Sequence, residues 1–401
     1  EKYNYRLLQK NKERNTSFYL NSSDVIYLIN ADRFANGNQE NDFDKSMNEK
    51  NVNRKKSSNR HGGDLQGVIN HLDYIDDMGF TALAISSVLE NNIDKNSFES
   101  NAVTDFYKVD SRLGGNEIYK ELVLETHNRG FKLVKEILIN HVGINHWWVD
   151  DPPFEDWINP KLKNQILSND VNSIFDPYAD NKDNKSFTDS WIDDSHPDLN
   201  HKNKFLSNYL IQNTIWWIEF AQLSAIKVDY YSNVVSTFTE KLNLSIQKEY
   251  PGFRIIGESF LNDKSVIGLL QQKPYQKQIN NKTSFILPSM SDLPMQLSLI
   301  SSLNSDKDMK GLYQNIGQDY LYPNPVNMCI FLDNQNTSRC FYLLKHNLSH
   351  WKMAQAFLFV NRGIPQVLYG TEVLMTDTLN PANKSEVLSD FPGGWNHDKK
   401  D

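Results

Sequence analysis

The sequence predicts an α/β fold, a (β/α)8 TIM barrel with an irregular subdomain inserted after its third strand. Three observations predict it. Short apolar strands alternate with amphipathic helices, the arrangement that a parallel sheet with helical crossovers requires. Eight candidate strands can be counted in 401 residues, and an eight-stranded barrel takes roughly 250 residues plus insertions. The alternation lapses for one long stretch after the third strand and then resumes. A doubly wound open sheet is the structural alternative.

The first strand reads Val25 to Ile29. A helix from about Val68 to Met78 stops at Gly79, and the run Thr81 to Ile85 follows. A second helix, around Glu117 to His127, closes at Gly130 ahead of a strand from Lys132 to Ile139. Both helices are apolar stripes ended by glycine. From Gly143 to about Asn203, Pro, Asp, Asn and Trp dominate. So long an irregular stretch reads as an excursion rather than a simple loop. The expected organisation is therefore barrel over 1–142, inserted subdomain over 143–203 and barrel again over 204–401. The helix Phe205 to Gln222 restores the pattern, and further strands read as Ala225 to Asp229, Arg254 to Gly257, Ser284 to Leu287, Met328 to Leu332 and Pro365 to Tyr369. The last strand is followed by about thirty residues with no clear closing helix, so the C-terminal end of the barrel is expected to be truncated.

At 39% hydrophobic and 12% aromatic residues the chain can bury a large core. Its net charge of −8 argues against a nucleic-acid partner. Nowhere do eighteen apolar residues run together, so no membrane span is expected. Only Cys329 and Cys340 are present. They make no disulfide framework, and Cys329, inside an apolar run, reads as a small buried hydrophobe. Most of the eighteen Tyr and eight Trp belong to the core, although such rings also serve as stacking platforms for sugars.

In such barrels functional residues stand at the carboxyl ends of strands. Those positions hold Asn140 and His141 after strand three, Asp229 after strand four, Glu258 after strand five, and Asp333, Asn334, Gln335 and Asn336 after strand seven. Two carboxylates ending adjacent strands suit retaining glycoside chemistry, in which one attacks the anomeric carbon and the other protonates the leaving oxygen. A structural ion pair or a helix N-cap is the plainer reading of the same two residues.

The surrounding words carry a resemblance. Val25-Ile-Tyr-Leu-Ile-Asn-Ala-Asp-Arg-Phe-Ala-Asn-Gly37, Gly62-Gly-Asp-Leu-Gln-Gly67, His196-Pro-Asp-Leu-Asn200, Gly363-Ile-Pro-Gln366, Tyr369-Gly-Thr-Glu372 and Phe391-Pro-Gly-Gly-Trp395 occur in order. They resemble the α-amylase family, glycoside hydrolase family 13, and within it the neopullulanase and cyclomaltodextrinase type of bacterial starch utilisation. The resemblance implies a retaining α-glucan hydrolase with Asp229 as nucleophile, Glu258 as general acid/base and His141 on an outer hydroxyl of the cleaved sugar. It also implies an α-glucan or maltooligosaccharide partner and a periplasmic or extracytoplasmic location, with the family's flanking β-domains either outside this chain or never present.

Several positions depart from the family's pattern. Asn336 stands where a transition-state-stabilising Asp is expected, Gln335 where a His is expected, and Lys227 where an Arg would hold the nucleophile. Glu136 replaces an Asp, and Asn101 falls near an expected stacking Tyr. A Lys keeps the charge of an Arg but not its two-point hold on a carboxylate. An Asn beside Glu258 removes a negative charge that would help that group stay protonated. Hydrolysis is accordingly expected to be impaired or lost, with glucan binding, continued turnover and a purely structural or regulatory role all open. The resemblance further implies Ca²⁺ on Asn36, Asn38, Asn41, Asp42, Gly62 and Asp64, oxygen ligands that suit the ion on chemical grounds. Asn38 replaces one Asp, and a hydrogen-bonded Asx-rich turn is the alternative. No organic cofactor is expected. An oligomer stays open.

Overall fold

The computed structural model describes residues 16–161, 176, 178–272, 288–305, 308–376, 384–396 and 398. Eight strands form one parallel sheet: β1 Ile26–Ile29, β2 Ala82–Ile85, β3 Lys132–Ile137, β4 Ala225–Val228, β5 Arg254–Gly257, β6 Ser289–Met290, β7 Cys329–Phe331 and β8 Ile364–Leu368. Their order is β6-β5-β4-β3-β2-β1-β8-β7. A parallel bridge between Ser291 and Cys329 brings β6 against β7, so the sheet nearly closes on itself. The doubly wound alternative is thereby excluded, because an open sheet has two free edges. The expected strand at Ser284 to Leu287 lies outside the described residues; the described strand follows it at Ser289–Met290.

The strands are buried along their whole length except at Lys132, which opens β3, as expected where helices cover one face and packed side chains fill the other. The predicted glycine stops hold. Gly79 and Gly130 have φ of 81° and 80°, the left-handed conformation that ends a helix at little cost only for glycine. Asn203 caps the Lys204–Phe220 helix by accepting from the amides of Phe205 and Leu206, which satisfies two of that helix's orphan donors. That helix buries Leu206, Leu210, Ile211, Trp217 and Ile218 against the barrel.

The excursion after β3 returns to the barrel mouth. Asp198 bridges to His141, Leu199 bridges to Ile158, and the Val142 amide donates to the Pro197 carbonyl at 3.0 Å. It also contains a helix, Asn181–Thr188, that hydrophobic periodicity does not reveal. Its sequence is almost wholly polar, and its start is set locally by Asp180 accepting from the Lys182 amide. Cys329 and Cys340 are buried free thiols. Among the described residues no helix is long and apolar enough to cross a membrane.

Candidate active site

Two adjacent strand ends place the carboxylates. The Asp229 amide donates to the Ile137 carbonyl at 3.2 Å, and the Glu258 amide donates to the Val228 carbonyl at 2.8 Å. The sheet ladder thus continues one residue past β4 and β5 and fixes both backbones at one mouth of the barrel. Glu136, the fifth residue of β3, joins them. One carboxylate oxygen from each of Glu136, Asp229 and Glu258 lies within 4.8 Å of the others, and all three residues are buried. Retaining glycosidases hold their two carboxyl groups about 5–5.5 Å apart, so the separation suits that chemistry.

The cation in this cluster is Lys227. Its Nζ lies 3.0 Å from Glu258 Oε2, both side chains being almost fully buried. The resemblance gives this position a hold on Asp229; the structure adds an ion pair with Glu258. Register explains the geometry. Lys227 sits opposite Glu136 in the β3–β4 ladder, one strand from Glu258, so an unbranched chain reaches the carboxylates on either side. Burial disfavours its charge, but Glu258 and Glu136 more than offset that, and the ammonium's pKa is raised above the ordinary lysine value. Burial pushes Glu136 up to about 7, with Lys227 opposing and Glu258 reinforcing the shift. Asp229 Oδ1 accepts from the Tyr230 amide at 2.8 Å.

Gln335 and Asn336 also turn to Glu258. Gln335 Nε2 donates to its two oxygens at 3.4 and 3.3 Å, and Asn336 Nδ2 donates to Oε1 at 3.3 Å. The loop that carries them is set by Asn334, whose Oδ1 accepts from the Asn336 amide and whose amide donates to Thr337 Oγ1. Beneath it Asp333 accepts from the Cys340 amide and from Thr371 Oγ1.

Asn101 reaches the same cleft through a different set of bonds. Its carbonyl is 2.8 Å from His141 Nε2, and its Oδ1 is 3.2 Å from His196 Nε2. His141, expected to face a sugar hydroxyl, has that ring nitrogen on a backbone carbonyl and its ring edge against His196 and Tyr230. The cleft is lined by Asn30 and Ser86, which directly follow β1 and β2, and by Glu99, Asn101, Glu136, Asp229, Gln335 and Asn336, with Leu388 at its side, and its cavity volume is about 30 Å³. Ligand pockets commonly measure about 300–1,000 Å³. Glu99 and Leu388 escape sequence reasoning because each lies outside the strand ends. Glu136 has a legible signal, a Lys-Glu pair inside an otherwise apolar strand.

The Alpha amylase, catalytic domain family matches residues 28–400. The chain belongs to the alpha-amylase family. It is 27% identical over 379 residues to the beta/alpha-amylase of Paenibacillus polymyxa, covering 91% of this chain and 29% of that protein. It is 23% identical to the cyclomaltodextrinase of Thermoanaerobacter pseudethanolicus, covering 89% of this chain and 58% of that protein. The chain thus spans less than two thirds of the length of these curated relatives. Among solved structures, an Anoxybacillus alpha-amylase superimposes with a TM-score of 0.78 at 27% identity, over 92% of this chain and 75% of the other. The Geobacillus thermoleovorans alpha-amylase, solved with acarbose, gives a TM-score of 0.75 at 28% identity over the same shares.

In this alpha-amylase-family barrel a second polar cluster forms where the Asn36 to Asp42 loop meets the turn before the Leu65–Asn70 helix. Asp64 accepts from the amides of Gly37, Asn38 and Gly67 and from Asn41 Nδ2. Asp42 accepts from Asn36 Nδ2 at 2.9 and 3.1 Å. Gly62 has φ 89°, and a Cβ there would meet Asp42 Oδ1 at 2.4 Å, so only glycine allows the approach. The Oδ1 atoms of Asn36 and Asn41 are buried without a hydrogen-bond partner. Two orphaned amide oxygens beside two carboxylates fit a hard cation. Asn38 does not join them in this arrangement, since its Oδ1 accepts from the Glu40 amide at 3.0 Å. Burial raises Asp42 to about 6, against the bond from Asn36.

Proposed function

We propose that this chain is an α-glucan-recognising barrel in which glycoside hydrolysis is slow. One observation carries the reading. The groups around Glu258 are Lys227, Gln335 and Asn336, and as placed each presents a donor to its carboxylate. A general acid must carry a proton to a leaving oxygen, and the carboxyl of Glu258 is instead surrounded by three donors. Asp229 keeps the position of a nucleophile, at the strand end and within reach of both glutamates. The Asn336 and Gln335 amides can still hydrogen-bond sugar hydroxyls, which supports binding, but neither supplies the charge that an oxocarbenium-like transition state would use. The narrow cleft also asks a sugar ring to displace side chains before it is seated.

Efficient α-glucan hydrolysis is the second reading, favoured by the retained carboxylate separation. A reducing-sugar assay on starch, pullulan and β-cyclodextrin, beside calorimetry with maltoheptaose, separates the two. Slow or absent release together with measurable binding fits the proposal. Turnover near the ~10 per second typical of enzymes would overturn it, and absence of both would sink the α-glucan assignment itself.

The same proposal places Ca²⁺ on Asn36, Asn41, Asp42 and Asp64 as a structural ion that ties the first loop to the turn before the Leu65–Asn70 helix. It also places the protein in an extracytoplasmic compartment that receives soluble glucans, which fractionation of the source cells would test.

A further inference from the structure

Three carboxylates from neighbouring strands meet one ammonium at the barrel mouth. One oxygen from each of Glu136, Asp229 and Glu258 lies within 4.8 Å of the others, and all three residues are buried. Lys227 is the cation among them, 3.0 Å from Glu258. Lys135, beside Glu136 in β3, lies over the Trp217 ring instead. With the three carboxylates ionised, the cluster is two charges negative, and uncompensated buried charge is costly. That deficit equals the charge of one divalent cation. Two oxygens bound to a single Ca²⁺ at ~2.4 Å lie at most about 4.8 Å apart, so the three can share one ion.

The cleft also holds amide oxygens that lack donors. Asn30, the residue after β1, lines it together with Glu136 and Asp229. It is 2% exposed. Its Nδ2 donates to the Phe98 carbonyl at 3.1 Å, whereas its Oδ1 is buried and, among the described residues, meets no hydrogen-bond donor. Gln335 lines the same cleft and repeats the pattern. Its Nε2 donates to Glu258, and its Oε1 is buried with no partner among the described residues. Burying a polar group without a partner costs about 1–3 kcal/mol. Two such oxygens beside three carboxylates describe a pocket short of positive charge. Its cavity volume, about 30 Å³, suits an occupant the size of a water or an ion.

We propose that the cleft binds a hard divalent cation, Ca²⁺ or Mn²⁺, through Glu136, Asp229 and Glu258 with the amide oxygens of Asn30 and Gln335. An all-oxygen donor set selects such ions over softer metals. Lys227 opposes the ion, so the site is weak, with Kd in the range of about 10⁻⁴–10⁻³ M found for the weaker calcium modules. It is distinct from the Asn36–Asp64 cluster on the first loop. An ion on Asp229 neutralises the carboxylate that would attack an anomeric carbon, so a bound cation holds the site inactive. The ion needs no sugar, and its test is separate from that of the α-glucan reading.

Calorimetry of chelator-stripped protein with Mn²⁺ counts the sites, and anomalous diffraction from soaked crystals locates them. Soaking at ~5 mM Mn²⁺ exceeds even a Kd of about 10⁻³ M. A peak touching Glu136 and Asp229 is expected, apart from any peak at Asn36–Asp64, and Ca²⁺ should displace it. Glu136→Gln combined with Asp229→Asn should abolish the cleft peak and leave the first-loop signal as it was. Asp42→Asn should weaken the first-loop signal alone. Should the double variant fail to fold, Asn30→Ala keeps every carboxylate and should weaken the cleft ion by about tenfold or more. A parent protein with no cleft peak overturns the proposal. So does a cleft ion whose affinity neither the carboxylate substitutions nor Asn30→Ala changes. Both outcomes leave the α-glucan reading standing, because maltoheptaose calorimetry on metal-free protein tests it independently.

Discussion

Lys135 and Lys227 lie on neighbouring strands, both buried, and meet opposite surroundings. Lys227 points into the barrel and ion-pairs with Glu258. Lys135 points the other way, with Nζ 4.3 Å from the Trp217 ring centroid and 5.4 Å from that of Tyr119. The carboxylates raise the pKa of Lys227 despite its burial, whereas burial lowers Lys135 to about 7 with only Glu136 opposing. One step in strand alternation separates the two outcomes, since Glu136, the residue after Lys135, is the one that pairs in register with Lys227. A buried lysine is thus a structural anchor or a liability according to the face it occupies.

The largest effect should come from breaking the paired lysine. Lys227→Met leaves Glu136, Asp229 and Glu258 without a cation and should destabilise the fold by about 3–5 kcal/mol at pH 7. The loss should shrink at pH 5, where Glu136, raised to about 7, holds a proton, and denaturant titration at both pH values measures it. Exchanging the lysine for a forked cation sharpens the comparison on the activity side. Lys227→Arg combined with Gln335→His and Asn336→Asp should raise α-glucan hydrolysis on the order of a hundredfold. Each substitution alone should do little, because groups that act as a unit are not additive. A folded triple variant with unchanged rates would mean that the deficit lies elsewhere in the cleft.

Relieving the unpaired lysine should have a smaller and opposite sign. The folded form disfavours the Lys135 ammonium, so its penalty is full below about pH 7 and fades as pH rises toward the ordinary lysine value. Lys135→Met should therefore stabilise the protein by about 1–3 kcal/mol at pH 6 and much less near pH 10. Equal gains at both pH values would place the effect in packing instead of charge. The last shift concerns the Asn36–Asp64 cluster, which touches neither lysine. Saturating Ca²⁺ should raise the melting temperature and EDTA reverse it, by about 2–3 kcal/mol at a hundredfold excess over Kd. The rise should be weaker at pH 5, where Asp42, raised to about 6, holds a proton. An identical melting curve with chelator would leave the loop a hydrogen-bonded turn.

Much of the barrel is readable along the chain because its signals are local. Val25 to Ile29 and Thr81 to Ile85 are mostly apolar runs of strand length followed by polar residues, and these two strands differ from expectation only at their ends. Gly79 and Gly130 end helices for a reason that resides in one residue's φ. The Asn181–Thr188 helix escapes because nothing apolar marks it. In the site, Asp229 and Glu258 follow from being the last polar residues of adjacent strands.

What each polar group binds was not legible in the same way. Lys227, two residues before Asp229, reads in sequence as that carboxylate's partner; across the sheet its ammonium also meets Glu258, at 3.0 Å. Asn101 is named by its place in a motif, yet its bonds to His141 and His196 arise only when the 97–101 loop meets the excursion. The sequence by itself determined the strand order of appearance, the helix stops and the identities at the strand ends, since periodicity and backbone preference act within a few residues. Only the tertiary structure decided which carboxylate takes the buried ammonium and which side chains share the cleft, because charge interactions and burial depend on distances that barrel closure sets between strands far apart in the chain.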